Sequence, residues 1–233
     1  NATSSSKKKP VTASRRPDSP GRAGLVLPPV YPIIDIDICR MRGIDPHALA
    51  AGCLEGGARL VQVRQKGHDT GGAALLAVVR SIVAAASPVQ ALVVVNDRAD
   101  IAAMAGAGGV HVGQQDLAPE AARAIAGPDV VVGLSTHTRE QVDAALAGDA
   151  DYVAVGPVFS TATKDTGYDP RGMDLVSYAA GRGKPVVAIG GITLASAGAV
   201  LAAGAASVAI ISDLLSDAGG VGTRIRQFLR GRG

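Results

Sequence analysis

The chain has no Trp, only 3% aromatic residues and just two Cys. Cys39 and Cys53 make no disulfide framework and show no paired metal-ligand spacing, so free thiols in a cytoplasmic protein are the expectation. No apolar run approaches the roughly 20 residues of a membrane span, so no membrane partner is expected. The net charge of +3 is misleading. Residues 1–22 hold Lys7, Lys8, Lys9, Arg15, Arg16 and Arg22 against Asp18 alone, which leaves the remainder at −2 and removes the electrostatic case for nucleic acid. What the chain does have is Ala, Val and Gly within a 47% hydrophobic composition. That suits aliphatic parallel strands buried on both faces beneath Ala-rich helices.

Residues 1–29 mix Ser, Lys, Arg and Pro without pattern. They offer too little apolar surface to offset the entropy of ordering, so they are expected to be a disordered basic tail. Their Arg- and Ser-rich, acid-poor composition also fits a transit peptide, although no amphipathic helical pattern accompanies it. Residues 30–233 then form the expected catalytic domain.

From Tyr31 a strand–helix rhythm begins. Strands are expected at 31–35, 59–64, 92–95, 110–112, 130–134, 152–156, 185–190 and 207–211. Helices are expected at about 45–55, 71–86, after Asp97, after Asp116, 138–146, 173–180, 194–203 and 222–229. Asp45-Pro46 supplies an N-cap and a first-turn Pro, and Thr138 with Gln141 forms a capping-box pattern. Repeats of this length predict a parallel sheet closed as a single (β/α)₈ barrel. An open doubly wound sheet is the runner-up, but Asp35-Ile36-Asp37-Ile38 is not the glycine fingerprint it would want after its first strand.

The stretch Leu92–Asp116 is the most informative. Two apolar runs end in polar residues, Asn96-Asp97 and Gln114 to Asp116, across one βαβ unit. Parallel strands about 4.8 Å apart would let Asp97 and Asp116 face one small volume. Paired carboxylates suggest a hard metal such as Mg²⁺, which shares itself with substrate phosphates. Alternatively, both acids are solvated and cap the following helices.

A barrel keeps its active site at the C-terminal ends of its strands. Gln62, Arg64 and Lys66 alternate at the end of strand two, and period two aims them to one side. Gln62 lies inside an apolar run, where a polar side chain needs a partner. Ser135 comes directly after strand five, followed by Thr136 and His137. Thr161, Ala162, Thr163 and Lys164 follow strand six. Gly190-Gly191 after strand seven and Ile211-Ser212 after strand eight suit a phosphate site built from backbone N–H groups, or else a tight turn. No Ser–His–Asp arrangement or nucleophilic Cys is evident. His111 reads as a satisfied core residue or one behind the ligands, and His47 and His68 as surface residues.

These motifs, in order from Gln62-Val-Arg64-Gln-Lys66 to Ile211-Ser212, resemble the thiamine-phosphate synthase (thiamine phosphate pyrophosphorylase) family. The likeness covers Tyr31 to Leu229. It implies a (β/α)₈ transferase that joins hydroxymethylpyrimidine diphosphate to a thiazole phosphate and releases pyrophosphate. It implies further that Gln62, Val63, Arg64, Gln65, Lys66 and Asn96 contact the pyrimidine diphosphate, with Ser135 and Lys164. By the same likeness Asp97 and Asp116 hold Mg²⁺, while Thr161, Ala162, Thr163, Gly191, Ile211 and Ser212 contact the thiazole phosphate. Arg64, Lys66, Ser135 and Lys164 are the expected catalytic set. Partners are then small phosphorylated molecules, with a homodimer left open. Ser160 departs from the family, which often places Pro there. A related barrel isomerase, the thiazole tautomerase, shares the Gly-x-Ser-x-His stretch but lacks the full cation and acid set. A non-catalytic phosphate-ligand sensor is the alternative from outside enzymology.

Overall fold

The computed structural model describes residues 24–67, 71–160, 169–216 and 220–231. Eight strands, β1 Val30–Asp35, β2 Leu60–Arg64, β3 Leu92–Asn96, β4 Gly109–Val112, β5 Val131–Thr136, β6 Tyr152–Val155, β7 Val186–Ile189 and β8 Ser207–Ile210, close into a parallel barrel in sequence order. β1 completes the ring by pairing with β8, Val30 opposite Val208. The helices are α1 Ile36–Met41, α2 Pro46–Glu55, α3 Gly72–Ala86, α4 Ala99–Ala105, α5 Pro119–Ala126, α6 Arg139–Ala147, α7 Asp174–Ala179, α8 Leu194–Ala202 and α9 Val221–Arg230. The expected (β/α)₈ architecture is therefore the observed one, and the open sheet is not.

Alternation along each strand separates two apolar layers. Ile34, Val61, Val63, Val95, Val110 and Val153 face outward and are buried beneath the helices. Tyr31, Ile33, Leu60, Val94, Val131 and Tyr152 belong to the cluster that fills the barrel's interior. Of the chain's four Tyr, two stand on the axis. Their rings meet edge to face with centroids 6.3 Å apart.

Several features differ from the sequence reading. The six-residue helix α1 was not expected. It is too short to show a helical period, and it forms because Asp35 caps it by accepting from the Ile38 N–H at 3.1 Å. Strand β5 runs on to Thr136, so Ser135 lies within the strand rather than after it. Residues 1–23 lie outside the described ones, but the packed chain reaches into the segment assigned to the tail. Leu27 is 6% exposed, and the Pro29 carbonyl accepts from the Val208 N–H. The stretch Gly72–Val89 is also long and apolar enough to pass for a membrane span, contrary to expectation. Its stripe Leu75, Val79, Ile82 and Ala86 is buried against the barrel, as a core-facing helix requires.

Gly133 decides how the interior packs. A Cβ at this position would lie 2.0 Å from Cζ of Tyr152, which pairs with it across β5 and β6. Gly133→Ala is expected to displace the Tyr152 ring and destabilise the fold by roughly 1–3 kcal/mol, the usual cost of overpacking. Thermal or denaturant unfolding measures it, and an unchanged midpoint would refute this account of the core.

Candidate active site

The inward-facing polar residues gather at the C-terminal end of the barrel around a cavity of about 460 Å³. That size suits small-molecule ligands. Gln62, Arg64, Asn96, His111, Ser135 and Ser212 are among its lining residues. Ile33, Val187 and Ile189 supply apolar wall. Gln62 finds the partner that its burial demands, donating from Nε2 to the Tyr31 hydroxyl at 2.9 Å. Asn96 is 7% exposed, and its Nδ2 has no hydrogen-bond partner among the described residues. A buried donor without a partner costs free energy until a ligand accepts from it. Ser135 Oγ lies 2.8 Å from His111 Nε2, and His111 Nδ1 lies 3.0 Å from the Tyr152 hydroxyl.

Beside this cavity the charged groups form one corner. The Lys66 ammonium contacts the Asp97 carboxylate and lies 3.9 Å from Asp116 Oδ2. Asp97 adopts φ 60°, a left-handed conformation that Asp tolerates better than most residues. Burial, the largest influence, pushes its carboxyl upward; Lys66 pulls it down and Asp116 pushes it up again, and the result lies above the ordinary value. Neither acid caps a helix. The caps of α4 and α5 are Arg98 and Ala118, and neither makes a side-chain capping bond. The helix-capping alternative is thereby removed. Asp116 accepts from the Gly113 N–H at 2.9 Å, which orients its carboxylate. Gln114 helps to fix the same loop by donating to the Ser135 carbonyl at 2.7 Å.

The unexpected helix α1 braces both cations. Asp35, 2% exposed, pairs with Arg64. Asp37 accepts from the Lys66 and Gly67 N–H groups at 2.8 and 2.9 Å and so holds the backbone that carries Lys66. Burial pushes the Asp37 carboxyl upward, but those two N–H groups with Arg40 and Arg64 outweigh it and hold the carboxyl below its ordinary value.

At the opposite wall, Gly190 and Gly191 have φ 104° and 63°. A Cβ on Gly191 would meet the Ser160 carbonyl oxygen at 2.5 Å, so this close approach needs glycine. Ser212 opens a 3₁₀ turn, Ser212–Leu215. Asp213 in that turn accepts from the Leu194 N–H at 3.2 Å and pairs with Arg224 on α9. The end of β8 is thus tied to the start of α8.

The expected residues are mostly brought together. Gln62, Arg64, Asn96, Ser135, Gly191, Ile211 and Ser212 line one cavity, with Lys66, Asp97 and Asp116 at its side. Val63 is not: its side chain is buried in the outer layer, because period two turns it away from its neighbours. Gln65 lies beyond the strand, its Nε2 donating to the Gly67 carbonyl at 3.4 Å. Thr161, Ala162, Thr163 and Lys164 lie outside the described residues. The two thiols are buried, and burial pushes Cys39 to about 11 and Cys53 to about 12, in line with the absence of a nucleophilic Cys. Sequence reasoning missed Tyr31, Tyr152, Asp35, Asp37 and Asp213. Only Tyr31 and Tyr152 carried a signal, as phenols inside apolar strand patterns.

The family model described as thiamine monophosphate synthase matches residues 30–214. The chain is 48% identical to the thiamine-phosphate synthase of Anaeromyxobacter dehalogenans (strain 2CP-C), over 76% of this chain and 78% of that protein. It is 41% identical to the thiamine-phosphate synthase of Koribacter versatilis (strain Ellin345), over 84% and 92%. Among solved structures, the thiamine phosphate pyrophosphorylase from Pyrococcus furiosus superposes with a TM-score of 0.77 at 26% identity, covering 88% of this chain and 95% of that one. The family model thus spans the barrel from its first strand to the turn after its last, and this chain belongs to the thiamine monophosphate synthase family.

Proposed function

We propose that this chain joins 4-amino-2-methyl-5-hydroxymethylpyrimidine diphosphate to 4-methyl-5-(2-hydroxyethyl)thiazole phosphate, or its carboxylated precursor, to give thiamine monophosphate and pyrophosphate. The observation that carries the reading is the corner where Lys66 meets Asp97 and Asp116, beside a cavity lined by neutral hydrogen-bonding groups. The buried free thiols support a reducing, cytoplasmic setting.

The acid pair fits Mg²⁺. Two adjacent carboxylates that cap neither following helix, one with its proton affinity raised, would gain from a hard divalent ion that completes its shell with phosphate oxygens. Asp97 and Asp116 would hold it, and the chemistry supplied is neutralisation of the diphosphate charge. The chain's own cations do the same work from the other side. Arg64 is held in place by Asp35, and Lys66 by the Asp37 brace on its backbone. Both can pair with the leaving oxygens as the carbon–oxygen bond lengthens. Electron donation from the aminopyrimidine ring then stabilises the cationic methylene. Asn96 Nδ2, a buried donor without a partner among the described residues, offers a bond to the bound pyrimidine diphosphate. Gly191 and Ser212 would seat the thiazole phosphate so that its ring nitrogen faces that carbon. The thiazole nitrogen attacks with its own lone pair, so the carbon–nitrogen bond forms without a strong general base.

Mixing the protein with both phosphorylated substrates and Mg²⁺ should yield pyrophosphate and thiamine monophosphate in equal amounts. Rearrangement of the thiazole alone would favour the isomerase, and tight binding without turnover would favour the sensor. Asp97→Asn suits the left-handed backbone and removes a charge that the metal-free fold holds at a cost. Its raised carboxyl value means that ionisation opposes folding as pH rises past the unfolded value. The variant should therefore keep or raise the melting temperature while losing about a hundredfold or more in kcat. A variant that melts lower and retains activity would contradict the assignment.

A further inference from the structure

A buried chain of hydrogen bonds crosses the barrel interior beneath the cavity. Gln62 Nε2 donates to the Tyr31 hydroxyl at 2.9 Å, and Tyr31 and Tyr152 hydroxyls lie 3.1 Å apart. The Tyr152 hydroxyl lies 3.0 Å from His111 Nδ1, and His111 Nε2 lies 2.8 Å from Ser135 Oγ. Tyr31, Gln62, His111 and Ser135 line the cavity, whereas Tyr152 is fully buried and is not among its lining residues. The His111 ring stacks on Tyr152 at 5.6 Å, so the two rings move as a unit. The absent Cβ of Gly133 leaves the space that Tyr152 fills.

We propose that Tyr152 is a positioning residue that fixes the tautomer of His111 and thereby leaves the Ser135 hydroxyl proton free for substrate. Proton counting carries it. Burial pushes both phenols well above their ordinary values, so each hydroxyl keeps its proton and has only one to give. The Gln62 amide donates into the Tyr31 oxygen, so Tyr31 turns its own proton to Tyr152. Tyr152, already accepting, turns its proton to His111 Nδ1. An imidazole that accepts at Nδ1 carries its proton on Nε2 and donates to Ser135 Oγ. Ser135 then accepts from His111, and its O–H is left to donate. If the chain ran the other way, or if His111 were a cation, Tyr31 would receive two donors. Its proton would then face no partner among the described residues, a cost the first direction avoids. Ser135 therefore selects a ligand atom that accepts, such as a ring nitrogen or a phosphate oxygen, and disfavours one that donates. This last step rests on the proposed reaction; the tautomer itself does not.

Protein labelled with ¹⁵N-histidine, without substrate at pH 8, tests the tautomer in the native protein. The His111 signals are those lost in His111→Asn. The expected result is a protonated Nε2 and an unprotonated Nδ1. A protonated Nδ1, or both nitrogens protonated, would overturn the proposal. In Tyr152→Phe the two ring-nitrogen shifts should move toward each other; unchanged shifts would also overturn it. Kinetically, Tyr152→Phe should lower kcat/KM about tenfold in the parent, the effect of one lost hydrogen bond, and add nothing in a Ser135→Ala background. Additive losses would mean that Tyr152 acts on the fold alone. If the parent shows no turnover, the proposed function fails while the ¹⁵N result still decides the tautomer.

Discussion

Two carboxylates held side by side with an ammonium between them are the constraint on which the rest of this structure turns. Asp97, Asp116 and Lys66 come from the ends of three different strands, and none is adjacent in sequence to another. Like charges repel, so such a pair persists only where the backbone leaves it no choice and a cation shares the space. The left-handed turn at Asp97, the Gly113 bond to Asp116 and the Asp37 brace behind Lys66 each remove one freedom. The barrel closure holds the three turns in register.

The interior of the barrel works by the opposite logic. Few aromatic rings were available, and two tyrosines are placed where the strands converge. They fill the axis and also give Gln62 and His111 somewhere to bond. The hydrogen bonds that join these groups run from Gln62 through both tyrosines and His111 to Ser135. At the cavity wall the opposite condition holds for Asn96, whose amide nitrogen is buried without a partner among the described residues. A buried donor of this kind in a cavity wall is where a ligand acceptor would gain most.

The fold was largely legible in the sequence because continuous apolar strands and capped helices alternate at barrel length, as in Asp45-Pro46 before α2 and Thr138 before α6. Period two correctly turned Gln62 and Arg64 toward the cavity, and the same rule places Val63 in the outer layer. What could not be read was whatever depends on distant pairing. Asp35 and Asp37 were given no role because their partners, Arg64 and the Lys66 backbone, lie about thirty positions away. The α1 helix is shorter than two turns and leaves no periodic trace. Tyr152 shows in the sequence only as a phenol inside an apolar strand, and its place on the axis emerges once it is seen packed over Gly133.

The central claim is that Asp97 and Asp116 hold a divalent ion together with diphosphate. Mn²⁺, a spin-active substitute for Mg²⁺, tests it directly by electron paramagnetic resonance titration with and without pyrophosphate. The account predicts that pyrophosphate tightens Mn²⁺ binding and that Asp116→Ala abolishes this binding while the protein stays folded. Mn²⁺ bound with pyrophosphate equally well by the parent and by Asp116→Ala would contradict it.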